Sequence, residues 1–430
     1  MGQKIIVLSA DAMVHEDIEY LKTLPNYRKY LAGGAEIKRV RSVYPTITYP
    51  AHVTISTGAW PAKHGVLGNL EFFPGRLSLP WNWFHKAIRC SDIFDAAKKA
   101  GLSTAGVFWP VTGNHPSIDY LIDEYWPQWE GDSTCDAFAR AGSSPAMIEI
   151  IKKNFTVNTV HRQHPGCDEF VINCACDIIR NYSPDIMMIH PANIDDYRHK
   201  YGIFNDKVKK GVEETDTFIG RLMRAAEDGG HAEETNFFLV SDHGQIEIKR
   251  SINVNVLFAD YGLIQTDGEG KIRNWDAYCL SGGMSALIFL KDPKDPAIYK
   301  KVHTILRYLC SEGIYGIGQV FTEEEIRMSE HLGGDFSFAL ESDGYTAFGD
   351  NWQRPLIKSL DLSDYRYGRA THGYLPDKGP QPILLAKGPG IRENVVLDRE
   401  YLVNEAPTFA KVLGLSLPDA EGRSIDDILI

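Results

Sequence analysis

The stretch IMMIHPANIDDYRHKYGIFNDKVKKGVEETDTFIGRLMRAAEDGGHAEETNFFLVSDHG, residues 186–244, carries the pattern that decides the fold. IMMIH (186–190) and FFLVS (237–241) are apolar runs of strand length. Between them Val208, Val212, Ile219, Leu222 and Ala226 fall on one helical stripe. Similar apolar runs stand at IIVLS (5–9), TAGVFW (104–109) and ILLAKG (383–388). Strands alternating with helical patterns predict an α/β fold, with a mostly parallel central sheet covered by helices on both faces. No internal repeat interrupts that rhythm.

Two regions depart from it. LEFFPGRLSLPWNWF (70–84) is too aromatic and proline-punctuated for regular structure and reads as a loop over something worth covering. Residues 251–365 change to a strand (SALIFL), a helix (AIYKKVHTILRYLCSEG) and further short strands. That stretch is expected to be a smaller α+β cap, inserted into a core made of residues 1–250 and 366–430.

The chain has 430 residues, 43% hydrophobic and 24% charged, which is ordinary globular composition with room for a core plus an insert. A net charge of −12 argues against stable binding of long nucleic acid. An anionic substrate would then need local positive charge, for which bound metal is one source. The opening MGQKIIVLSAD has too short an apolar run for a signal-peptide core, and no run approaches a membrane span. Seven cysteines without regular spacing fit free thiols, so a cytoplasmic location is expected. Cys174 and Cys176 lie in FVINCACDIIRNY, which reads as a buried helix rather than a metal site.

The polar chemistry collects where strands end, the place at which open parallel sheets bind ligands. IIVLS runs into Asp11, IMMIH into Asp195 and His199, and FFLVS into Asp242 and His243; His372 precedes ILLAKG. Each alone has a bland reading as a cap, a surface pair or a chance dipeptide. Together they form a set of Asp and His donors suited to zinc and, less well, manganese. Between the first two lies YPTITYPAHVTISTG (44–58), read as a short helix over 51–57 with Pro50 in its first turn and Gly58 past its end. Thr48 and Tyr49 then sit at a helix N-terminus, where the dipole and unpaired N–H groups favour an anion. Thr48 is open to two readings there: a helix cap, or a hydroxyl whose alkoxide the site stabilises.

With these residues in view, the chain resembles the alkaline phosphatase superfamily, and within it the nucleotide pyrophosphatase/phosphodiesterase family. That family's nucleophile segment runs roughly P-T-x-T-[FY]-P-x-H-x-x-[IV]-x-T-G-x-x-P-x-x-H-G, and Pro45 to Gly65 reads PTITYPAHVTISTGAWPAKHG, followed by Asn69. The resemblance implies two divalent ions, most naturally zinc, with Asp195, His199 and His372 on one and Asp11, Thr48, Asp242 and His243 on the other. It implies a phosphodiesterase or nucleotide pyrophosphatase in which Thr48 attacks phosphorus through a phospho-threonine intermediate. Asn69 and the N–H groups at the helix start would hold a non-bridging oxygen.

Two family glycines are replaced, by Ala12 after the first Asp and by Arg198 before His199. Arg198 could bind a second phosphate or face solvent, and Asp196 competes with Asp195 as ligand. Tyr49 stands where related enzymes carry an aromatic that stacks a base, and Phe72, Phe73, Trp81, Trp83 and Phe84 could complete a slot. The implied partner is a small phosphorylated substrate, with a nucleotide among the candidates. A C–P bond hydrolase resembling phosphonoacetate hydrolase and a diesterase for a lipid headgroup or small metabolite are the enzymatic alternatives. An inactive metal-binding or sensor protein is the alternative of another class.

Overall fold

In strand β1 (Lys4–Ser9) successive side chains point to opposite faces, and both faces are buried. Ile5 and Val7 pack in a core with helix α1 (Thr48–Thr57). Ile6 and Leu8 face the opposite layer, built from α2 (Gly166–Tyr182), α3 (Asn193–Tyr201) and α4 (Asp206–Asp228). Helix α5 (Glu405–Val412) completes the first layer through Phe409 and Ala410. The computed structural model describes residues 2–76, 78–363 and 368–430. Leu77 of the aromatic loop, and the join between insert and core at 365 and 366, lie outside the described residues.

Seven strands join β1: β2 (Ala35–Arg41), β3 (Thr104–Val107), β4 (Tyr120–Ile122), β5 (Ile186–Ile189), β6 (Thr235–Val240), β7 (Leu384–Lys387) and β8 (Val395–Tyr401). Their order is β8-β2-β7-β6-β1-β5-β3-β4. Every neighbouring pair is parallel except the two made by β7, which runs against β6 and β2. The sheet is thus mostly parallel, with helices on both faces. TAGVFW ends as a strand at Val107, because Phe108 turns out of it with a left-handed φ of 57°.

Asn205 caps α4 by accepting from the Lys207 and Val208 amides. All five stripe residues from Val208 to Ala226 are buried, each large one stabilising by roughly 1.5–3 kcal/mol. Cys174 and Cys176 are buried in α2 as free thiols. No described helix is long and apolar enough to cross a membrane.

Within the stretch 251–365, strands Ala277–Ser281, Ser285–Leu290, Phe338–Ser342 and Ile317–Thr322 form a separate antiparallel sheet. Helix Pro296–Ser311 buries Val302, Ile305, Leu306 and Leu309 in a core of its own with that sheet. The turn at Gly282 and Gly283 touches the central unit, where the Met284 N–H donates to the His372 carbonyl at 2.9 Å. The insert therefore buttresses the backbone of His372. Of its described residues only Ser363 reaches the cleft above the sheet, so it forms less of a roof than the sequence suggests.

Candidate active site

Helix α1 begins at Thr48, earlier than the sequence indicates, and Pro50 occupies its third position, where a missing N–H is still tolerated. Residue 47 is the N-cap and no side chain caps the helix, so the cap reading of Thr48 does not describe what its hydroxyl does. The Thr48 Oγ lies 3.2 Å from His243 Nε2, and the residue is 7% exposed. The first-turn amides are largely committed: the Tyr49 N–H donates to Asn69 Oδ1 at 2.9 Å, Pro50 has none, and the Ala51 N–H donates to the Ile47 carbonyl. An anion is left with the Thr48 N–H, fewer helix donors than the sequence suggests. Because Asn69 turns its carbonyl to Tyr49, its NH2 end is the one left for the cleft that Asn69 lines.

His52 of the same helix fixes this arrangement from behind. Its Nδ1–H donates to the Thr48 carbonyl at 2.8 Å, so its Nε2 accepts from Ser9 Oγ at 2.9 Å. The same Nδ1 is 3.5 Å from Asp242 Oδ2. The histidine of the P-x-H string thus holds the Thr48 segment, strand β1 and Asp242 together, a role the sequence reading did not assign.

Two acidic and imidazole groups converge at the strand ends. Asp11, Asp242 and His243 form one, and Asp195, His199 and His372 the other, with donor atoms in each within 4.8 Å of one another. The His243 and His372 rings are 4.2 Å apart, which makes the groups adjacent. Asp195 lies 3.3 Å from His199 Nε2, whereas Asp196 is taken by Lys200 at 2.8 Å. His199 Nδ1–H donates to the Ala370 carbonyl at 2.7 Å, which leaves Nε2 as its ligating nitrogen. Gln245 holds the Asp195 carboxylate from outside.

The electrostatics fit a cation-binding site. Burial, then Asp242, then Asp195 push the Asp11 carboxyl well above its usual range, and burial raises Asp242. Burial also pushes Asp195 up, but His199 and then His372 outweigh it and hold that carboxyl well below. Asp11 Oδ1, Asp242 Oδ2, His243 Nδ1 and His372 Nδ1 are buried without a hydrogen-bond partner. Unpaired buried oxygens and imidazoles are costly alone and are what a divalent ion satisfies.

Arg198 is not in the cleft. It is 1% exposed, and its guanidinium is spent on Asp17, the Ala12 carbonyl (3.1 Å) and the Ile203 carbonyl. The expectation that it meets substrate or solvent is corrected, because every arm of the fork has an internal partner. Ala12 carries a φ of 58°, the conformation a glycine adopts freely, and its N–H donates to Asp242 Oδ1 at 3.1 Å. The two departures from the family pattern therefore touch each other: Arg198 clamps the strained residue whose amide orients Asp242. Arg198→Ala is expected to cost about 3–5 kcal/mol of stability by stranding Asp17, as read from urea unfolding midpoints. A loss below about 1 kcal/mol would refute the clamp.

Tyr49 lines the cleft as a buried residue. Its ring is 1% exposed, packed with Val53, Val66 and Val111 and meeting Trp81 edge-on, while its hydroxyl donates to Glu124 at 3.1 Å. Of the other aromatics, Phe72 stacks on Phe289 of the insert at 3.9 Å, Trp83 and Phe84 pack with Tyr125, and Phe73 is not among the cleft residues. Trp81 alone of the five lines the cleft, a cavity of about 280 Å³. Glu124, Arg162 and His164 line it as well, none of them singled out by sequence. Burial, against the opposing pull of Arg162 and the Tyr49 hydroxyl, pushes Glu124 up to about 7.

A helix N-terminal threonine set against two Asp/His clusters, over this sheet order, defines the alkaline phosphatase-like class. Within that class the chain belongs to the type I phosphodiesterase / nucleotide pyrophosphatase family, whose model matches residues 5–375. Venom phosphodiesterase 2 of Crotalus adamanteus is 25% identical over 382 residues, covering 86% of this chain and 40% of that protein. Ectonucleotide pyrophosphatase/phosphodiesterase family member 1 of Homo sapiens is 24% identical over 254 residues, covering 56% of this chain and 24% of that protein. The chain spans well under half the length of these curated relatives. The fold is shared with murine ectonucleotide pyrophosphatase / phosphodiesterase 5 at a TM-score of 0.69 and 19% identity, over 100% of both chains.

Proposed function

We propose that this chain is a metal-dependent hydrolase of phosphodiester or phosphoanhydride bonds in a small phosphorylated substrate, acting through a phospho-threonine on residue 48. The observation that carries it is the Thr48 hydroxyl, uncommitted to capping, at a helix N-terminus beside both Asp/His clusters. The Thr48 oxygen attacks phosphorus, the P–O bond to the leaving group breaks, the departing oxygen takes up the proton that Thr48 gives up, and the phosphoryl stays on Thr48. Water then attacks the same phosphorus, and the threonine oxygen leaves and regains its proton. Asn69 Nδ2 and the Thr48 N–H would hold a non-bridging oxygen through both steps. Asp195, His199 and His372 would hold one divalent ion, and Asp11, Asp242, His243 and Thr48 a second, which when bound supply Lewis-acid stabilisation of developing oxygen charge. The imidazole-rich donor set favours zinc.

Support comes from the family and from a neighbour. One murine structure with this fold, 18% identical, is an inactive threonine-to-alanine variant in complex with AMP. A nucleotide therefore belongs among the substrates to try here. We also propose that residues 251–365 act as an inserted cap that steadies His372. The seven free thiols support a reducing, cytoplasmic location. The test is turnover of bis-p-nitrophenyl phosphate by the zinc-reconstituted chain, with p-nitrophenyl phosphate alongside. The diester is expected to be hydrolysed at least about tenfold faster, and no diester turnover after zinc restoration would sink the reading.

A further inference from the structure

His164 and Asp168 form a buried pair on the wall of the cleft, and nothing in the chemistry proposed above uses them. Both line the cavity that Thr48, Asn69 and Asp195 also line. The His164 Nδ1–H donates to Asp168 Oδ2 at 2.7 Å, and the two side chains are 10% and 2% exposed. Asp168 is itself fixed twice. It stands in the first turn of α2, and its Oδ1 accepts the Ala192 N–H at 2.9 Å, immediately ahead of α3. The pair is therefore tied to the helix that carries Asp195 and His199.

That hydrogen bond decides which ring nitrogen is available. With Nδ1 spent on a carboxylate, Nε2 is left over, and it has no partner among the described residues. Burial works against charge on the ring, but Asp168, by its charge and its hydrogen bond, and then Asp196 outweigh both burial and the opposing Lys200. His164 is thereby held above its ordinary pKa. Glu124 and His161 are the other titratable groups that sense its charge. A buried Asp–His pair often does no more than pin a loop to a helix. Here the unpartnered nitrogen belongs to a wall residue of a cavity of about 280 Å³, too small for the groups on a phosphorus at Thr48 to stay clear of its walls.

We infer that His164 is the general acid of the phosphoryl transfer, its Nε2–H giving a proton to the oxygen that leaves phosphorus, with Asp168 as the positioning residue behind it. The inference rests on the proposed function in taking Thr48 as the attacking group. Attack and departure are roughly in line, so the departing oxygen lies on the side away from Thr48. Thr48 stands beside His243, and the side of Asp195 and His199, to which the pair is tied, receives that oxygen. As the P–O bond breaks, the departing oxygen takes the Nε2 proton and leaves as a neutral hydroxyl group. The proton that Thr48 gives up restores the imidazolium, so in sum the departing oxygen gains what Thr48 loses and no co-reactant is needed. Such a proton matters most when the departing oxygen is basic and least when it is already a stable anion.

The test is kcat/KM of the zinc-reconstituted protein on two diesters, methyl p-nitrophenyl phosphate and methyl phenyl phosphate, which differ in the basicity of the departing oxygen. This quantity covers the steps up to the first departure, so hydrolysis of the phospho-threonine does not enter it. His164→Gln is expected to lose about a hundredfold on the phenyl ester, with a loss at least about tenfold smaller on the p-nitrophenyl ester. Asp168→Asn, which keeps the ring but weakens its support, should show the same selective loss in smaller measure. In wild type the solvent deuterium effect on kcat/KM should be larger for the phenyl ester, a reading that needs no variant to fold. Equal losses on both esters in folded His164→Gln, or equal deuterium effects in wild type, overturn the inference and leave His164 a structural pin. Hydrolysis of neither ester by wild type counts instead against the proposed function and takes this inference with it.

Discussion

Thr48→Ala is expected to end multiple turnover of a phosphodiester, a loss on the order of ten-thousand-fold, while the protein stays folded. The fold should survive because the hydroxyl caps nothing: the helix N-terminus is held by the Asn69 carbonyl and by the His52 contact to the Thr48 backbone. Thr48→Ser keeps an oxygen in the same place and should retain measurable activity. The neighbouring threonines are controls with assigned work. Thr46 donates to the Tyr374 carbonyl at 2.9 Å, Thr54 to the Ala59 carbonyl at 3.0 Å, and Thr57 to the Val53 carbonyl at 2.7 Å. Removing any one of them should cost about 1 kcal/mol of stability and leave turnover largely intact. Acid quench during turnover, followed by peptide mass analysis, should find phosphate on residue 48. Near wild-type diester hydrolysis by Thr48→Ala, or phosphate trapped on another residue, would end the covalent mechanism.

What the sequence disclosed, and what it hid, divides along physical lines. Long periodic helices and buried strands are visible because burial on one face imposes a period, as in α4 and β5. The edge strand β8 (VVLDREY) and its neighbour β2 (AEIKRVR) escaped because charged residues break the apolar run that marks a strand. The direction of β7 was equally hidden, since an apolar run looks the same either way. The donors at strand ends were legible because the fold forces chemistry to those points, and the structure brings Asp11, Asp242 and His243 together, and Asp195, His199 and His372 together. Side-chain direction was not legible. Arg198 stands one residue before His199 yet points into a buried pocket at Asp17, and Arg162 stands far from any motif yet lines the cleft. The only trace of it was the unusual density of His and Arg in TVHRQHPG.

Asp242→Asn should move stability in opposite directions with and without metal, and that sign change is the sharpest test of the two clusters. Without a cation, burial pushes both the Asp11 and the Asp242 carboxyls up, and the Asp242 charge adds repulsion at Asp11. An amide at 242 removes that repulsion and can still accept from the Ala12 N–H, so the chelated variant should melt higher than chelated wild type. With zinc present the order should reverse, because wild type gains binding free energy as stability and the variant has lost a charged ligand. Metal analysis of wild type should find about two zinc ions per chain, the number the two donor groups imply. His372→Ala should empty chiefly the group it shares with Asp195 and His199. Activity should fall with occupancy, by at least about a hundredfold, since second-sphere partners alone are worth 10–100-fold in metal affinity or activity. Full turnover after exhaustive chelation would exclude the metal role, and so would destabilisation by Asp242→Asn of equal size in zinc and in chelator. The reversal cannot come from a purely structural Asp242, for which the carboxylate would matter equally in both conditions.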